Sequence, residues 1–489
     1  MISSRESDLG AVDLTDQPQM FLDDLCVATT VNLVRQVQQP LKCEHNPVLV
    51  KEHPWEGYRI EHPVVVHDAD RKRFRMYYTA FSDATRLRDV GGTICVAESD
   101  DGLRWTRPML DIRRHDGAST NIVLTGALEA AYMHVIKAPD ARETPYKGVY
   151  LQRNPPGRRG LSGLFTTQSR DGLHWTAARR ITATKCDTMP SLAWCPPQRR
   201  YFVYTRAQAH HPLLEGHLRM TGILSSDDFE HWNDKVGVNL LTEADGWPRT
   251  QVHALTATAY ADLLVGQVPL FHLEREDDNM HARCDVHLAV SRDGWHWKLV
   301  GDRALIPHGP AAWERSYVHS GSVVVSDDLM HFHYTGMRFS HRRNMEEQRD
   351  DSGRRWDWAV GAATLPAERF VALVQREPGR EGILETPPVR CEGTNLLVNA
   401  DGDPGDLEVE LVDEKGHATQ HQSGPIPGFE RDHCRLVRHD ALRYRVVWRR
   451  DGSDRSIADA RSGQPFVLRF ILRRGRLFAF RFTRLADDG

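Results

Sequence analysis

Apolar and polar residues alternate along most of this chain with a period of two, the pattern of half-buried β-strands. Phe74-Arg75-Met76-Tyr77-Tyr78-Thr79 is one such stretch, rich in aromatics, and it follows the short apolar run Val64-Val65-Val66 and a polar turn at Asp68–Lys72. Helix periodicity is sparse. Punctuating the strands is one stretch that returns four times: Ser99-Asp100-Asp101-Gly102-Leu103-Arg104-Trp105, then Ser169–Trp175, a degenerate Ser226–Trp232 with Phe229 in the glycine's place, and Ser291–Trp297. The copies lie about 70, 57 and 65 residues apart. Asp-Gly favours a tight turn, because glycine accepts positive φ and aspartate bonds its own backbone. Each copy therefore predicts a hairpin, with the tryptophan opening the next strand and packing sideways against the next unit.

Repetition at this period implies stacked supersecondary units. One unit is four antiparallel strands in about 65 residues. The second is expected at Tyr132–Lys137, Tyr146–Leu151, Gly163–Ser169 and His174–Thr176. The third holds Pro190–Trp194, Tyr201–Arg206, Arg219–Ser225 and a strand after His231; the fourth holds His253–Ala259, Leu263–Phe271, Asp285–Ser291 and His296–Val300. A fifth is expected at Ser322–Val325, His331–Gly336 and Trp358–Ala363, with Thr364–Phe370 standing where its turn belongs. Solenoid repeats are shorter, and radial repetition of four-stranded units makes a propeller. After Glu377-Pro378-Gly379 the hairpin motif stops, and alternating stretches at Leu407–Leu411, Arg443–Trp448, Phe466–Leu472 and Leu477–Phe482 read as a sandwich. The expected fold is all-β: a five-bladed β-propeller over 45–375 and a C-terminal β-sandwich over 376–489, preceded by an N-terminal extension over 1–44 whose first 17 residues read as loosely held.

Composition narrows the partners. The 489 residues carry 63 Lys+Arg against 67 Asp+Glu, a net charge of −4, which argues against nucleic acid or a membrane surface as a partner. No apolar run approaches the ~20 residues that span a bilayer. The polar start Met1–Asp8 has no apolar run behind it, and the eight cysteines form no Cys-x-x-Cys pair. Together they predict reduced thiols in a cytoplasmic protein.

The Ser-x-Asp-Gly-x-x-Trp turns and the propeller-then-sandwich order resemble the five-bladed propeller glycoside hydrolases, above all family 32 (invertases and fructanases), with relatives in families 43, 68 and 130. The resemblance covers nearly all of residues 45–485. It implies a carbohydrate substrate and a glycosidase with a carboxylate pair at the propeller mouth, furanosides such as fructosides or arabinosides being candidates. The chain departs from family 32 where that family carries its nucleophile motif: Glu44-His45-Asn46-Pro47-Val48-Leu49 has no aspartate in place. Nor is there an Arg-Asp-Pro or Glu-Cys signature. The turn also resembles the sialidase Asp-box, with one residue fewer between Asp and Gly; that reading would require six blades.

Glycoside hydrolysis needs two carboxyl groups flanking one bond, one protonated and one ionised. Acids just ahead of the innermost strands are therefore the catalytic candidates: Glu61 before Val64, Asp187 before Met189-Pro190, and Glu314 in the fifth unit. The families resembled place an Asp-Pro at the position of Glu61 or His62 and their general acid near Asp187. Each has a plainer reading, as a rim residue, a turn cap and an ion-pair partner of Arg315. Glu129, in the second unit, ranks below them. His62, His134, His253 and His319, with Arg249, Gln251 and Trp247, are candidates to bind sugar hydroxyls or stack on a ring. The histidines show no ligand spacing, so no metal or cofactor is expected. Two rival functions stay open: a non-catalytic carbohydrate-binding propeller, and a glycoside phosphorylase with Arg338, His341, Arg342 and Arg343 holding phosphate. The sequence carries no signal of oligomeric state.

Overall fold

The computed structural model describes residues 10–81, 92–125, 130–139, 141–152, 162–183, 186, 189–211, 214–275, 278–341, 358–403, 405–413, 424–460 and 464–484. It divides into two compact units, one running from Gln39 to Leu365 and one combining the chain up to Gln38 with the chain from Pro366.

The Gln39–Leu365 unit contains five sets of strands, four of them four-stranded and one five-stranded. The first set is Arg59–Asp68, Arg73–Phe81, Gly92–Ser99 and Ile122–Thr125; the second is Ala130–Lys137, Tyr146–Gln152, Gly163–Ser169 and Arg179–Thr182. The third is Ser191–Cys195, Arg200–His211, Leu214–Ser226 and Val236–Val238. In the fourth, Thr250–Val252 and Thr256–Tyr260 both pair with Leu263–Arg275, followed by Asp278–Ser291 and Lys298–Leu299. The fifth is Tyr317–Ser326, Leu329–Met337, Ala359–Pro366 and Leu41–Lys42, and a parallel pairing at Cys284 and Tyr317 joins it to the fourth. The first strands of the five sets touch one another in cyclic order, the fifth returning to the first.

Short hydroxyl side chains lace this ring. The first strand of each set has a free edge whose N–H groups would be buried without partners. Thr79 Oγ1 accepts from Tyr132 N at 2.8 Å, Ser191 Oγ from Ala257 N at 3.0 Å and Ser322 Oγ from Val65 N at 2.6 Å, each across two neighbouring sets.

The repeated turns fold as their residue types require. Asp101 Oδ1 accepts from the N–H groups of Leu103 and Arg104 at 2.9 and 2.7 Å, and Ser99 Oγ accepts from Gly102 N at 2.8 Å. The other copies repeat the aspartate bonds. Gly102, Gly172 and Gly294 have φ of 71°, 73° and 79°, and Phe229 takes the same region at 67°. The glycine carbonyls also lock sets together: Tyr77 donates to Gly172 O, Tyr204 to Gly294 O and His333 Nε2–H to Gly102 O, at 2.8, 2.9 and 2.8 Å. These bonds draw each turn onto the preceding set. Trp175 accordingly packs edge-on against Tyr77, Trp297 against Tyr204 and Trp105 against His333, the reverse of the direction expected from sequence.

Outer strands differ most from expectation. In the first set the fourth strand begins at Ile122, because a hairpin of Leu110–His115 and Ala118–Thr120 intervenes after the turn. The fifth set takes its fourth strand from Leu41–Lys42, residues expected in an extension, because its own chain continues past Pro366 into the other unit.

That other unit has two six-stranded sheets. Phe466, Leu468, Phe470 and Leu472 of one and Leu396, Val398 and Ala400 of the other meet in a single apolar core. In strand Arg476–Thr483 the core side switches from Leu477 to Phe480 and Phe482, because Phe478 is the extra residue of a bulge. Val12–Leu14 pairs in parallel with Val389–Cys391, so these residues are not loosely held, and Thr29–Val31 and Leu33–Val37 also join the sheets. A cavity of about 880 Å³ lies in this unit among Asp13, Arg390, Cys391, Phe466 and Arg481. All eight cysteines are free thiols, and no helix among the described residues is long and apolar enough to cross a membrane.

Candidate active site

The first strands do not begin as regular strands. In the first set, three steps from Glu61 to Val64 face two from Thr79 to Tyr77; in the second, Ala131 to His134 face Leu151 to Val149. The fourth set spends four steps from Val252 to Thr256 against three from Leu270 to Gln267, and the fifth has the same extra residue between Ser320 and Val323. One inserted residue at the same level in four sets bends each strand and re-aims the side chains before it. Two of the inserted positions are held in the left-handed region without glycine, His62 at φ 59° and Tyr132 at 56°. Such backbone is costly, and it concentrates where the surroundings must hold a side chain in one orientation.

Around these bulges the polar side chains converge. Glu61, 1% exposed, lies 2.9 Å from Arg59 Nη2 and accepts from the Tyr132 hydroxyl at 3.3 Å. The Arg59 guanidinium is sandwiched by aromatics, 4.3 Å from both the Phe81 and Trp358 ring centres. Burial works against the Arg59 charge and Glu61 favours it, and the net effect holds the Arg59 pKa above its usual value. His62 sits 6.3 Å from His134, centre to centre, and all four of their ring nitrogens are buried without a hydrogen-bond partner among the described residues. Burial holds His134 neutral, with a pKa of about 3, and burial with the nearby His134 and His319 holds His62 well below the usual range. Neutral imidazole offers one donor and one acceptor, the complement of a hydroxyl group.

Further round the ring, His319 Nε2 meets His253 Nδ1 at 2.9 Å, and His253 stacks on Phe271 at 4.1 Å. Arg206 donates to His253 O at 2.6 Å, and Arg219 to Gln251 Oε1 at 3.2 Å while lying over the Phe271 ring. Burial first, then Arg206, His319, Arg219 and His341, push His253 well below its ordinary pKa; burial pushes His319 to about 4. Tyr317 joins the two halves, since it feels the charges of Glu61 and of both Arg219 and Arg206.

The structure thus brings together Glu61, His62, His134, His253 and His319 from the sequence candidates. Gln251 is present as well, but its amide is occupied in holding Arg219 and bonding Pro248 O. Arg249 is exposed, and Trp247 packs half-buried against the core of the third and fourth sets. Glu314 is held elsewhere: it ends a 3-10 turn, Ala312–Glu314, and pairs at 2.9 Å with Lys42 of the fifth set's outermost strand, not with Arg315. Burial raises its pKa, Lys42 opposing. Asp187, Glu129, Arg342 and Arg343 lie outside the described residues, and Arg338 is exposed. Sequence reasoning missed Arg59, Tyr132, Arg206, Arg219 and Tyr317. Arginine inside an otherwise apolar strand, as in Tyr201–Arg206, was the available signal. Among the described residues no group of His, Cys, Asp or Glu is arranged to hold a metal ion.

No family model matches the chain, and no curated protein matches it. It is similar in fold to several solved structures. A glycoside hydrolase is 17% identical with a TM-score of 0.46, over 67% of this chain and 92% of that one. A glycosyl hydrolase from Bacteroides ovatus is 14% identical with a TM-score of 0.47, over 70% and 97%. The β-1,2-mannobiose phosphorylase from Listeria innocua is 11% identical with a TM-score of 0.45, over 69% and 97%.

Proposed function

We propose that this chain cleaves a glycosidic bond at the bulged strand starts, its five sets being the blades of a propeller over about residues 45–375 and its other unit a β-sandwich. The observation that carries the reading is the convergence on one ring of a buried carboxylate, Glu61, with neutral imidazoles whose nitrogens are unsatisfied. A buried polar atom without a partner in a folded protein calls for a water, an ion or a ligand. Uncharged donor–acceptor groups beside one ion-paired carboxylate suit a polyhydroxylated, uncharged substrate.

Glu61 is then the ionised member of the pair. Facing Arg59, it is an acceptor, fit to attack an anomeric carbon or to take a proton from water, and Tyr132 fixes its orientation. Asp187 is the proposed proton donor to the leaving oxygen. Glu314, engaged by Lys42, has no part in the pair. The carboxyl separation decides the stereochemistry: about 5–5.5 Å gives retention and about 6.5–9.5 Å inversion. The test is a panel of furanosides and pyranosides with wild type, Glu61→Gln and Asp187→Asn. Turnover by wild type that both variants lose supports the assignment; sugar binding without turnover supports the binding-module reading instead.

A second reading has a specific observation behind it. Arg206, Arg219 and His341 all act on His253, giving that side of the ring a positive field. Such a field favours an oxyanion, so the same enzyme would use inorganic phosphate in place of water. Running the panel with and without phosphate separates phosphorolysis from hydrolysis.

A further inference from the structure

The hydrogen bonds around His319 fix more than its position. Its Nδ1 lies 3.2 Å from Ser320 O, a carbonyl that can only accept. Nδ1 therefore carries the proton. In the neutral ring Nε2 is then a lone pair, and its partner at 2.9 Å, His253 Nδ1, must be the donor. That leaves the proton of neutral His253 on Nδ1 and a lone pair on Nε2. A backbone carbonyl thus dictates, through one intervening ring, which nitrogen of a second ring is bare. His319 is fully buried, whereas His253 keeps 8% exposure, the largest among the four ring histidines of the site. The stack on Phe271 and the edge of Tyr317 hold the His253 plane. Burial first, then Arg206, His319 and Arg219, resist a second proton on it, so the ring stays an acceptor.

We infer that Ser320 O, His319 and His253 form a tautomer relay that presents His253 Nε2 as a fixed hydrogen-bond acceptor for a sugar hydroxyl, with His319 as its positioning residue. The inference rests on the carbohydrate reading of the site for the nature of its donor, and on the hydrogen-bond geometry alone for the relay. A fixed acceptor selects ligands that place a hydroxyl there. It rejects a deoxy sugar, which leaves Nε2 unpaired, and a ligand presenting an acceptor of its own.

The test reads the relay and the donor separately. In protein labelled with ¹⁵N-histidine, long-range ¹H–¹⁵N spectra at pH 7, assigned with His253→Gln, should show His253 Nδ1 protonated and Nε2 bare. His319→Phe, which keeps the ring's bulk but offers no acceptor, should move the His253 proton to Nε2. His319→Gln, which returns an acceptor, should restore the wild-type pattern. A wild-type spectrum with Nε2 protonated, or with both nitrogens protonated, overturns the relay whether or not the variants fold. Titration with neutral methyl furanosides and pyranosides should shift the bare Nε2 resonance. The monodeoxy sugar lacking the engaged hydroxyl should lose about 10-fold in affinity, the net worth of one hydrogen bond. A correct relay with no Nε2 shift for any sugar overturns the acceptor role. A shift without turnover supports the inference and removes the glycosidase reading.

Discussion

In the unit built from both chain ends, Arg431 reaches Glu381 and Glu408, Arg469 reaches Glu385 and Glu410, and Arg473 reaches Glu381, Asp406 and Glu408. Each guanidinium there has carboxylates on more than one side. At the bulged strand starts of the Gln39–Leu365 unit, His62 and His134 are more deeply buried and have no partner for either nitrogen. Both regions place polar residues on β-strands and treat them oppositely. Among the described residues, the first leaves no buried side-chain nitrogen or oxygen without a partner. Among the described residues the other holds His62 and Tyr132 in the left-handed region, the Arg59–Glu61 ion pair, and unsatisfied imidazoles whose buried nitrogens cost stability unless something binds. The difference separates a completed polar network from an open one without any appeal to charge count.

The strongest way to break this comparison is at Glu61. Glu61→Gln preserves shape and removes the charge opposite Arg59. If the carboxylate takes part in proton transfer, kcat/KM on the best glycoside should fall about 10²–10⁴-fold. Stability should also fall by about 3 kcal/mol, because the buried guanidinium is left uncompensated. A loss of stability with activity retained would make the Glu61–Arg59 pair structural, of the same kind as those in the other unit.

Acid comes next. A histidine whose folded pKa is depressed releases its proton on folding, so the unfolded chain binds more protons between the two pKa values. Stability is therefore complete above the unfolded value near 6.5 and is lost as pH falls toward the folded values, about 3 for His134 and about 4 for His319. At pH 5 each costs on the order of 2 kcal/mol. Thermal melts across pH 4.5–7 should show this slope, and His134→Gln should remove about one proton's share of it. An unchanged slope in that variant would mean that His134 is charged in the folded protein.

Tryptophan at the repeated turn tests the structural side. Trp175 is half-buried against Tyr77 and the face of Gly148, where an added Cβ would come within 3.2 Å of it. Trp175→Ala should cost about 2 kcal/mol, less than a fully buried tryptophan, and leave KM unchanged. A raised KM with an unchanged melt would put the turn in the substrate path.

Much of this was written in the period of the sequence. Phe466, Leu468, Phe470 and Leu472 alternate without interruption, and the structure puts all four in one core. The Ser-x-Asp-Gly turns were legible because their bonds are local, spanning two or three residues. The site was legible only in part, because bulges obscure it. Nothing in Glu61-His62-Pro63 or Ala131-Tyr132-Met133 announces a left-handed residue, since neither has glycine at the position. Glu314 stood ahead of an apolar strand as Glu61 did, but its partner, Lys42, is 272 residues away in sequence and belongs to a two-residue strand too short to carry a period.

The smallest effect is expected where pairing is complete. Arg469 Nη1 lies 2.8 Å from Glu410 and its Nε 2.7 Å from Glu385, with the arginine side chain 25% and Glu410 7% exposed. Losing Glu410 leaves the guanidinium its second carboxylate, Glu385, and losing Arg469 leaves Glu410 the Arg431 backbone N–H as a donor. A double-mutant cycle with Arg469→Met and Glu410→Gln should give a coupling of about 0.5–1 kcal/mol, above the exposed-pair range only if the network acts cooperatively. Because Arg469 retains contact with water, salt should screen the coupling, and 1 M NaCl should lower it. Glycoside turnover should be the same in all four proteins of the cycle. A coupling above 3 kcal/mol that resists salt would show that the network behaves as a buried ion pair, and the contrast with Glu61 and Arg59 would then be one of partners rather than of burial.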